Sequence, residues 1–361
     1  MYFNMPTRLY EEKGCVINHS KDIAVYGDTA LIVTGRRSSK INGSLNDVRS
    51  ALEKEKITYI IFDEVEENPS VETVMKATTI GIDNKVDFVI GLGGGSPIDA
   101  AKAIAIMVAN PDETSDYLYE NIDAYKLKAL PIIAVPTTCG TGSEVTGVAV
   151  LTVHSKRTKA SLPHRVFPKL ALLDAEYLKE TPKSIIKSTA IDALGHLIES
   201  YINTTSTEYS RIFVRQGLSL WAKCKPVLAD EKEPDQDDFR NLLNASTMGG
   251  MAIAHTGTTI PHSLSYSVTY ELGVPHGIAI GYFLAGYLRE ADSADRDFVL
   301  QQTGFDTVDV FEKFFQQATG CTALPSDILN RVVDAVSKNK AKLDLCPYYL
   351  DRDVLKRIAK L

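Results

Sequence analysis

Cysteine is scarce in this chain, basic clusters are nearly absent, and no long run is purely apolar. The five cysteines, Cys15, Cys139, Cys224, Cys321 and Cys346, are odd in number and form no C-x-x-C pair. That excludes a disulfide framework and predicts a reducing, cytoplasmic compartment. Thirty-nine Lys and Arg stand against 46 Asp and Glu, a net charge of −7. With a single Arg-Arg pair and no basic run, nucleic acid and anionic membranes are poor partners. The opening MYFNMPTRLYEEKG carries Arg8, Glu11, Glu12 and Lys13 before any apolar stretch, so no secretory signal peptide is expected. What the chain does have is 361 residues, 44% hydrophobic and 24% charged. That is an ordinary globular composition, with length for about two domains at roughly 150 residues each.

The first half alternates apolar runs with helix-like stretches. TALIVTG (29–35), ITYIIFDEV (57–65), VDFVIGLGGG (86–95), LPIIAVPTT (130–138) and LALLDA (170–175) read as strands, and 46–56 and 71–85 as helices. Nearly continuous apolar strands are those buried on both faces, as in a parallel sheet. Alternation with helices predicts a βαβ, nucleotide-binding type of domain. Past about residue 183 helical patterns dominate. From Asn241 to Leu288 the one formal charge is Glu271, so this stretch is buried. Asn244, Ser246, Thr247, His255, Thr256, Pro261 and His262 interrupt it, which excludes a membrane span of about 20 apolar residues. Its buried polar groups need partners; a ligand site and a hydrogen-bonded helix core both supply them.

Two glycine-rich segments follow apolar strands. In Gly91-Leu-Gly-Gly-Gly-Ser-Pro-Ile-Asp99, Gly93, Gly94 and Gly95 allow positive φ and close approach of a ligand. Ser96 reads as a helix N-cap, Pro97 as the first helical residue, and Asp99 lies three residues past the cap. The resulting helix N-terminus is an anion site suited to a pyrophosphate; a purely structural turn would use the same residues. It is neither a G-x-G-x-x-G fingerprint nor a P-loop. The second segment, Pro136-Thr-Thr-Cys-Gly-Thr-Gly-Ser-Glu144, offers the hydroxyls of Thr137, Thr138, Thr141 and Ser143. Both would lie at the C-terminal ends of parallel strands, where such sheets bind ligands. The first strand ends in Thr34-Gly35-Arg36-Arg37-Ser38-Ser39-Lys40. An NAD site usually has a carboxylate there. Gly35 followed by Arg36, Ser38 and Lys40 favours a 2′-phosphate, hence NADP(H), although a solvated loop has the same composition.

Three of the seven histidines lie between 255 and 276. Asp192 and His196 have helical i, i+4 spacing, which stacks a carboxylate and an imidazole on one face. His262 and His276 fall in the charge-poor stretch, where an unpartnered imidazole is costly. Pro261-His262 and Pro275-His276-Gly277 read as helix or turn boundaries that aim a side chain inward. One carboxylate and three imidazoles suit a divalent transition metal such as Fe2+ or Zn2+, not calcium or magnesium.

Together these motifs resemble the iron-containing (group III) alcohol dehydrogenases, relatives of glycerol dehydrogenase and dehydroquinate synthase. GGGSPIDAAKAIA (93–105), PTTCGTGSEVT (136–146), the D-x3-H helix at 192–196 and H-x13-H at 262–276 occur in that family's order and spacing. The resemblance spans essentially the whole chain. It implies a Rossmann-like α/β dinucleotide-binding domain over residues 1–182 and an all-α metal-binding domain over 183–361, a dehydroquinate synthase-like fold with cofactor and metal meeting in the cleft. It implies Asp192, His196, His262 and His276 as metal ligands. Gly94, Gly95 and Ser96, with Asp99 nearby, would hold the pyrophosphate. Thr137, Thr138, Thr141 and Ser143 would line the cofactor, Asn68 would lie near the adenine, and Lys159 near the nicotinamide ribose. Gly35 stands where NAD-preferring members carry aspartate. Many members have a proton-relaying histidine where this chain has Tyr266, so Tyr266 or His255 is left for that role, with water or a core histidine as the alternatives. A homodimer is expected, with the N-terminal strand a candidate interface.

The implied reaction is interconversion of primary alcohols or short diols with aldehydes, linked to NADP(H) or NAD(H). A divalent metal, Fe2+ in the first place and Zn2+ as the alternative, would polarise the substrate oxygen. Other readings are a glycerol dehydrogenase-like polyol oxidation, a dehydroquinate synthase-like lyase and a non-catalytic relic. The lyase needs cations to grip a phosphorylated, carboxylated substrate, and 241–288 offers none.

Overall fold

The structure is a computed structural model that describes residues 3–156 and 158–361. The chain divides into two compact units, residues 5–138 with 143–181, and residues 3–4 with 139–142 and 182–361.

The first unit is built on a six-stranded parallel sheet in the order β1-β8-β5-β4-β2-β3. The strands are β1 (Arg8–Glu11), β2 (Thr29–Gly35), β3 (Thr58–Val65), β4 (Phe88–Gly93), β5 (Ile132–Pro136) and β8 (Leu170–Leu173). Every residue of β4, β5 and β8 is buried, as the continuous apolar runs require. Successive side chains go to opposite faces. Leu31, Val33 and Val89 feed one core with helices α1 (Ser44–Lys54) excluded and α2 (Val71–Asp83) and α3 (Gly95–Val108) included. Ala30, Ile32, Phe88 and Ile90 feed the other, against Val48, Ala51 and Leu52 of α1. Each such fully buried aliphatic side chain contributes roughly 1.5–3 kcal/mol. The five expected strands all form. The apolar runs do not mark the edge strand β1, which is expected only as the N-terminal strand that the resemblance implies, nor the hairpin β6 (Val150–Val153) and β7 (Thr158–Ser161). Four-residue strands are too short for periodicity to mark.

The second unit is helical. Its frame is α4 (Lys183–Tyr201), α5 (Glu208–Lys223), α6 (Gln236–Thr256), α7 (Ile260–Leu272), α8 (His276–Glu290) and α9 (Val308–Thr319), followed by shorter helices. Helix α4 runs buried from Ala190 to Ser200, so it is the central element. Trp221 of α5 is fully buried and donates its indole N–H to the Ala190 carbonyl at 2.8 Å. At the start of α8 a Cβ on Gly277 would fall 1.7 Å from the Ser188 carbonyl oxygen. Only glycine lets α8 lie this close to α4, and that approach seats the neighbouring His276. No helix of the described residues is long and apolar enough to cross a membrane. All five cysteines carry free thiols.

Candidate functional site

In the helical unit, Asp192, His196 and His262 converge. Among the described residues they form the one group of three whose ligand atoms all lie within 4.8 Å of one another. All three side chains are buried. Helical spacing on α4 brings His196 Nε2 to 3.7 Å from Asp192 Oδ1. His262, near the start of α7, places Nε2 3.4 Å from the same oxygen. The rings of His196 and His262 stack at 4.5 Å. Asp192 Oδ1 and His262 Nε2 are both buried and make no hydrogen bond. A carboxylate oxygen and an imidazole nitrogen left bare in a protein interior cost about 1–3 kcal/mol each. A divalent cation is the partner both can take, and this N/O donor set fits iron or zinc.

The far side of each imidazole is engaged. His196 Nδ1 lies 3.2 Å from the Gly140 carbonyl oxygen. His262 Nδ1 meets a carboxylate oxygen of Glu199. His276 Nδ1 lies 3.5 Å from the Ser265 hydroxyl, which itself donates to the His262 carbonyl. With Nδ1 as the donor in each case, Nε2 is the nitrogen with a lone pair. Burial favours the neutral Asp192 carboxyl, but the charges of His196, His276 and His262 outweigh it and hold the group below its ordinary value. Burial lowers His196 against the pull of Asp192. Burial also opposes charge on His262, yet Glu199 and Asp192 prevail and raise it above its ordinary value, so Nε2 attracts a positive charge that either a proton or a metal cation can supply.

His276, the expected fourth ligand, lies beside this group and not within it. It opens a separate helix, its ring is 5.4 Å from that of His262, and it stacks on Tyr266 at 5.6 Å. Tyr266 thus faces the histidines edge-on and face-on. His255 has a different setting. Its Nδ1 donates to the Met251 carbonyl at 2.8 Å, its Nε2 accepts the Asn4 N–H at 3.2 Å, and its ring stacks on Phe3 at 4.6 Å. Both ring nitrogens are committed to the backbone.

In the sheet unit the two glycine-rich segments meet side by side. Thr137 N–H donates to the Gly93 carbonyl at 2.9 Å, and Gly93 holds φ at +140°, which excludes an ordinary side chain. Helix α3 starts at Gly95 with Gly94 as N-cap and no side-chain cap. Ser96 is therefore not the cap that the sequence suggests. Its hydroxyl instead accepts the Asn68 N–H at 3.0 Å, which draws Asn68 to the turn. Thr152 on β6 donates to the Asn68 carbonyl at 2.7 Å, and Lys159 on β7 pairs opposite Thr152. Asp99 does not complete a cap either. It accepts the Ser143 hydroxyl at 2.5 Å and the Val150 N–H at 2.9 Å. After β2, Arg36, Arg37 and Ser38 are exposed, and Lys40 pairs with Asp63 at 2.5 Å. Thr137, Thr138 and Ser143 of the second glycine-rich segment belong to this unit, whereas Thr141 belongs to the helical unit.

Two residues escaped the sequence reading. Glu199 continues the Asp192, His196 face at i+7, a spacing that was available. Lys102 sits inside α3, fully buried, donating to Ser143 Oγ at 2.6 Å and to the Val148 carbonyl at 2.7 Å. A lysine in an alanine-rich helix carries no mark of burial in sequence.

The chain matches two family descriptions, iron-containing alcohol dehydrogenase over residues 6–175 and the C-terminal part of the Fe-containing alcohol dehydrogenase family over 186–337. It is 30% identical to alcohol dehydrogenase 4 of Schizosaccharomyces pombe over 81% of this chain and 69% of that protein. It is 30% identical to the NADPH-dependent butanol dehydrogenase of Clostridium saccharobutylicum over 79% of this chain and 72% of that one. The crystal structure of an iron-containing alcohol dehydrogenase from Thermotoga maritima superposes with a TM-score of 0.90 at 35% identity, covering 99% of this chain and 98% of that one.

Proposed function

The chain belongs to the iron-containing alcohol dehydrogenase family, and on that premise we propose that it interconverts primary alcohols or short diols with their aldehydes. NADP(H) is the preferred partner in this reading and NAD(H) the second. The observation that carries it is the buried group of Asp192, His196 and His262, in which Asp192 Oδ1 and His262 Nε2 make no hydrogen bond.

Asp192, His196 and His262 would hold a divalent metal, Fe2+ first and Zn2+ second, with His276 as the fourth ligand. When bound, the cation supplies Lewis acidity at the substrate oxygen and the nicotinamide gives or takes the hydride. The protein's part is orientation. The single anionic ligand, Asp192, would leave the centre net positive, which favours an alkoxide over an alcohol. Tyr266, stacked on His276, is assigned to carry the substrate's hydroxyl proton. Gly94, Gly95 and Ser96 at the start of α3 would hold the pyrophosphate at a helix N-terminus, with Asp99 nearby. Asn68, Thr137, Thr138, Thr141, Ser143 and Lys159 would complete the cofactor contacts.

The absence of a carboxylate at Gly35, with Arg36, Ser38 and Lys40 following, supports the NADP(H) preference. The division of labour places the dinucleotide on residues 1–182 and the metal on 183–361. A homodimer through the N-terminal strand completes the reading.

Absorbance at 340 nm tests it. Anaerobically purified protein, with NADPH or NADH and butanal, is followed with and without added Fe2+. Metal-dependent oxidation of NADPH faster than of NADH is the expected result. No turnover with a panel of aldehydes under metal-replete conditions would sink it.

A further inference from the structure

Glu199 is fully buried, with 0% exposure. It lies one turn beyond His196 on α4, so Asp192, His196 and Glu199 share one helix face. Both of its carboxylate oxygens are engaged. Oε1 accepts from His262 Nδ1. Oε2 accepts the Thr259 N–H at 2.6 Å and lies 3.2 Å from the Thr259 hydroxyl. Thr259 precedes α7, the helix that carries His262, and makes no side-chain cap of its own.

A helix start can be capped by a neutral hydroxyl or amide. Burying a carboxylate for that purpose alone costs several kcal/mol of desolvation. The charge therefore calls for a further account, and its second contact supplies one. The His196 and His276 rings have neutral Nδ1 partners, a backbone carbonyl and a serine hydroxyl. The Nδ1 of His262 has an anionic one, Glu199. A carboxylate on Nδ1 secures the proton there, leaves the lone pair on Nε2 and strengthens that nitrogen as a donor. Nε2 is also the buried atom that lacks a hydrogen bond and faces Asp192 Oδ1. Glu199 lies outside the ligand set, on the far nitrogen of His262, so it strengthens that ring as a donor while Asp192 stays the one anionic ligand.

We propose that Glu199 is a positioning residue of the metal centre, which fixes the His262 tautomer and tunes its Nε2 as a metal donor. This rests on the metal reading of Asp192, His196 and His262 given above.

The test starts from metal-free full-length protein. Affinities for Zn2+ and Co2+ are measured by competition with a chromophoric chelator, and the Co2+ d–d absorption bands are recorded. Glu199→Gln is expected to bind both metals about 10–100-fold more weakly, with altered Co2+ bands. Thr259→Val, which keeps the carboxylate and loses only the hydroxyl at the same helix start, is expected to stay within about threefold of the wild type. A folded Glu199→Gln variant with wild-type affinity and bands overturns the proposal. Should that variant not fold, Zn2+-loaded wild type labelled with 15N-histidine decides. A proton on His262 Nδ1, shielded from exchange and shifted downfield, is expected, and an unprotonated Nδ1 overturns the proposal. Wild type that takes up no metal overturns the metal reading as well. Wild type and Glu199→Gln that take it up equally overturn the role of Glu199 alone.

Discussion

The Lys102 ammonium, buried in α3, donates to the Ser143 hydroxyl at 2.6 Å, and Ser143 in turn donates to Asp99 at 2.5 Å. Lys102 also reaches the Val148 carbonyl at 2.7 Å and lies 3.5 Å from Asp99. Burial pushes this lysine below its ordinary value while Asp99 pulls it back. One cation thus ties the helix after the first glycine-rich turn to the segment that continues from the second. Lys102→Met removes the cation and leaves the half-buried Asp99 without it, a loss of about 1–3 kcal/mol. The KM for the nicotinamide cofactor should rise about tenfold in the surviving folded protein, as a misplaced positioning element costs one to two orders of magnitude. Metal content should not change. Steady-state kinetics with the metal stoichiometry measured alongside checks this; an unchanged cofactor KM rejects the link.

His262 and His276 should part company when mutated. His262 belongs to the compact donor group and His276 stands beside it. His262→Ala should therefore lose metal and turnover together. His276→Ala should retain measurable metal with turnover reduced by about 10²-fold or more, as the loss of one polarising contact does. Elemental analysis of both variants decides. Equal metal loss in the two would make His276 a full member of the group.

His255 is held between the Met251 carbonyl and the Asn4 N–H under the Phe3 ring. Replacing it by Gln should cost about 0.5–1.5 kcal/mol for a weakened hydrogen bond. The pH profile of kcat should stay in place. A displaced or flattened profile would return His255 to the proton path, whereas Tyr266→Phe is the variant expected to alter it.

Much of this was legible in the residues. Strands such as Ile132–Pro136 are buried on both faces, so their hydrophobicity is continuous and the parallel sheet announces itself. The histidines stand out because charge is depleted around them. Ser96 was misread for a local reason. The pattern Ser-Pro-x-Asp resembles an N-cap sequence, but Asn68 from a distant loop claims the hydroxyl. The burial of Lys102 and the partner of Glu199 depend on which segments tertiary packing brings together, and spacing along one helix does not encode that.

Glu312 on α9 joins Arg289 of α8 and Lys360 near the C-terminus, each at 2.5 Å. Burial raises its carboxyl, but the two cations prevail and the group lies below its ordinary 4.5. A lowered folded value means that this stabilisation is present above about pH 4.5 and fades as pH falls through the lowered value. The pair geometry is good but Arg289 is 40% exposed, so solvent screening limits the contribution to about 1 kcal/mol. Glu312→Gln should lower Tm by roughly 2–4 °C at pH 7 and by much less at pH 3. Equal losses at both pH values would assign the effect to packing.

Cofactor choice turns on the end of β2. Gly35 sits at its last residue, in register with Val65 of β3 and one residue past Thr34, which pairs with Leu92 just before Gly93. A side chain there would stand beside the glycine-rich turn, where a ribose is expected in parallel sheets of this kind. Gly35 has ordinary negative φ and room for a Cβ, its nearest neighbour being the Val65 carbonyl at 3.5 Å. Gly35→Asp should therefore fold normally. Its carboxylate would accept from ribose hydroxyls and repel a 2′-phosphate. The expected result is a fall of about tenfold or more in kcat/KM with NADPH, the scale of an unfavourable charge contact near 1.4 kcal/mol, and no fall with NADH. Arg36→Ala should weaken NADPH alone. If both variants change the two cofactors in parallel, the basic loop after β2 has no part in reading the 2′-phosphate.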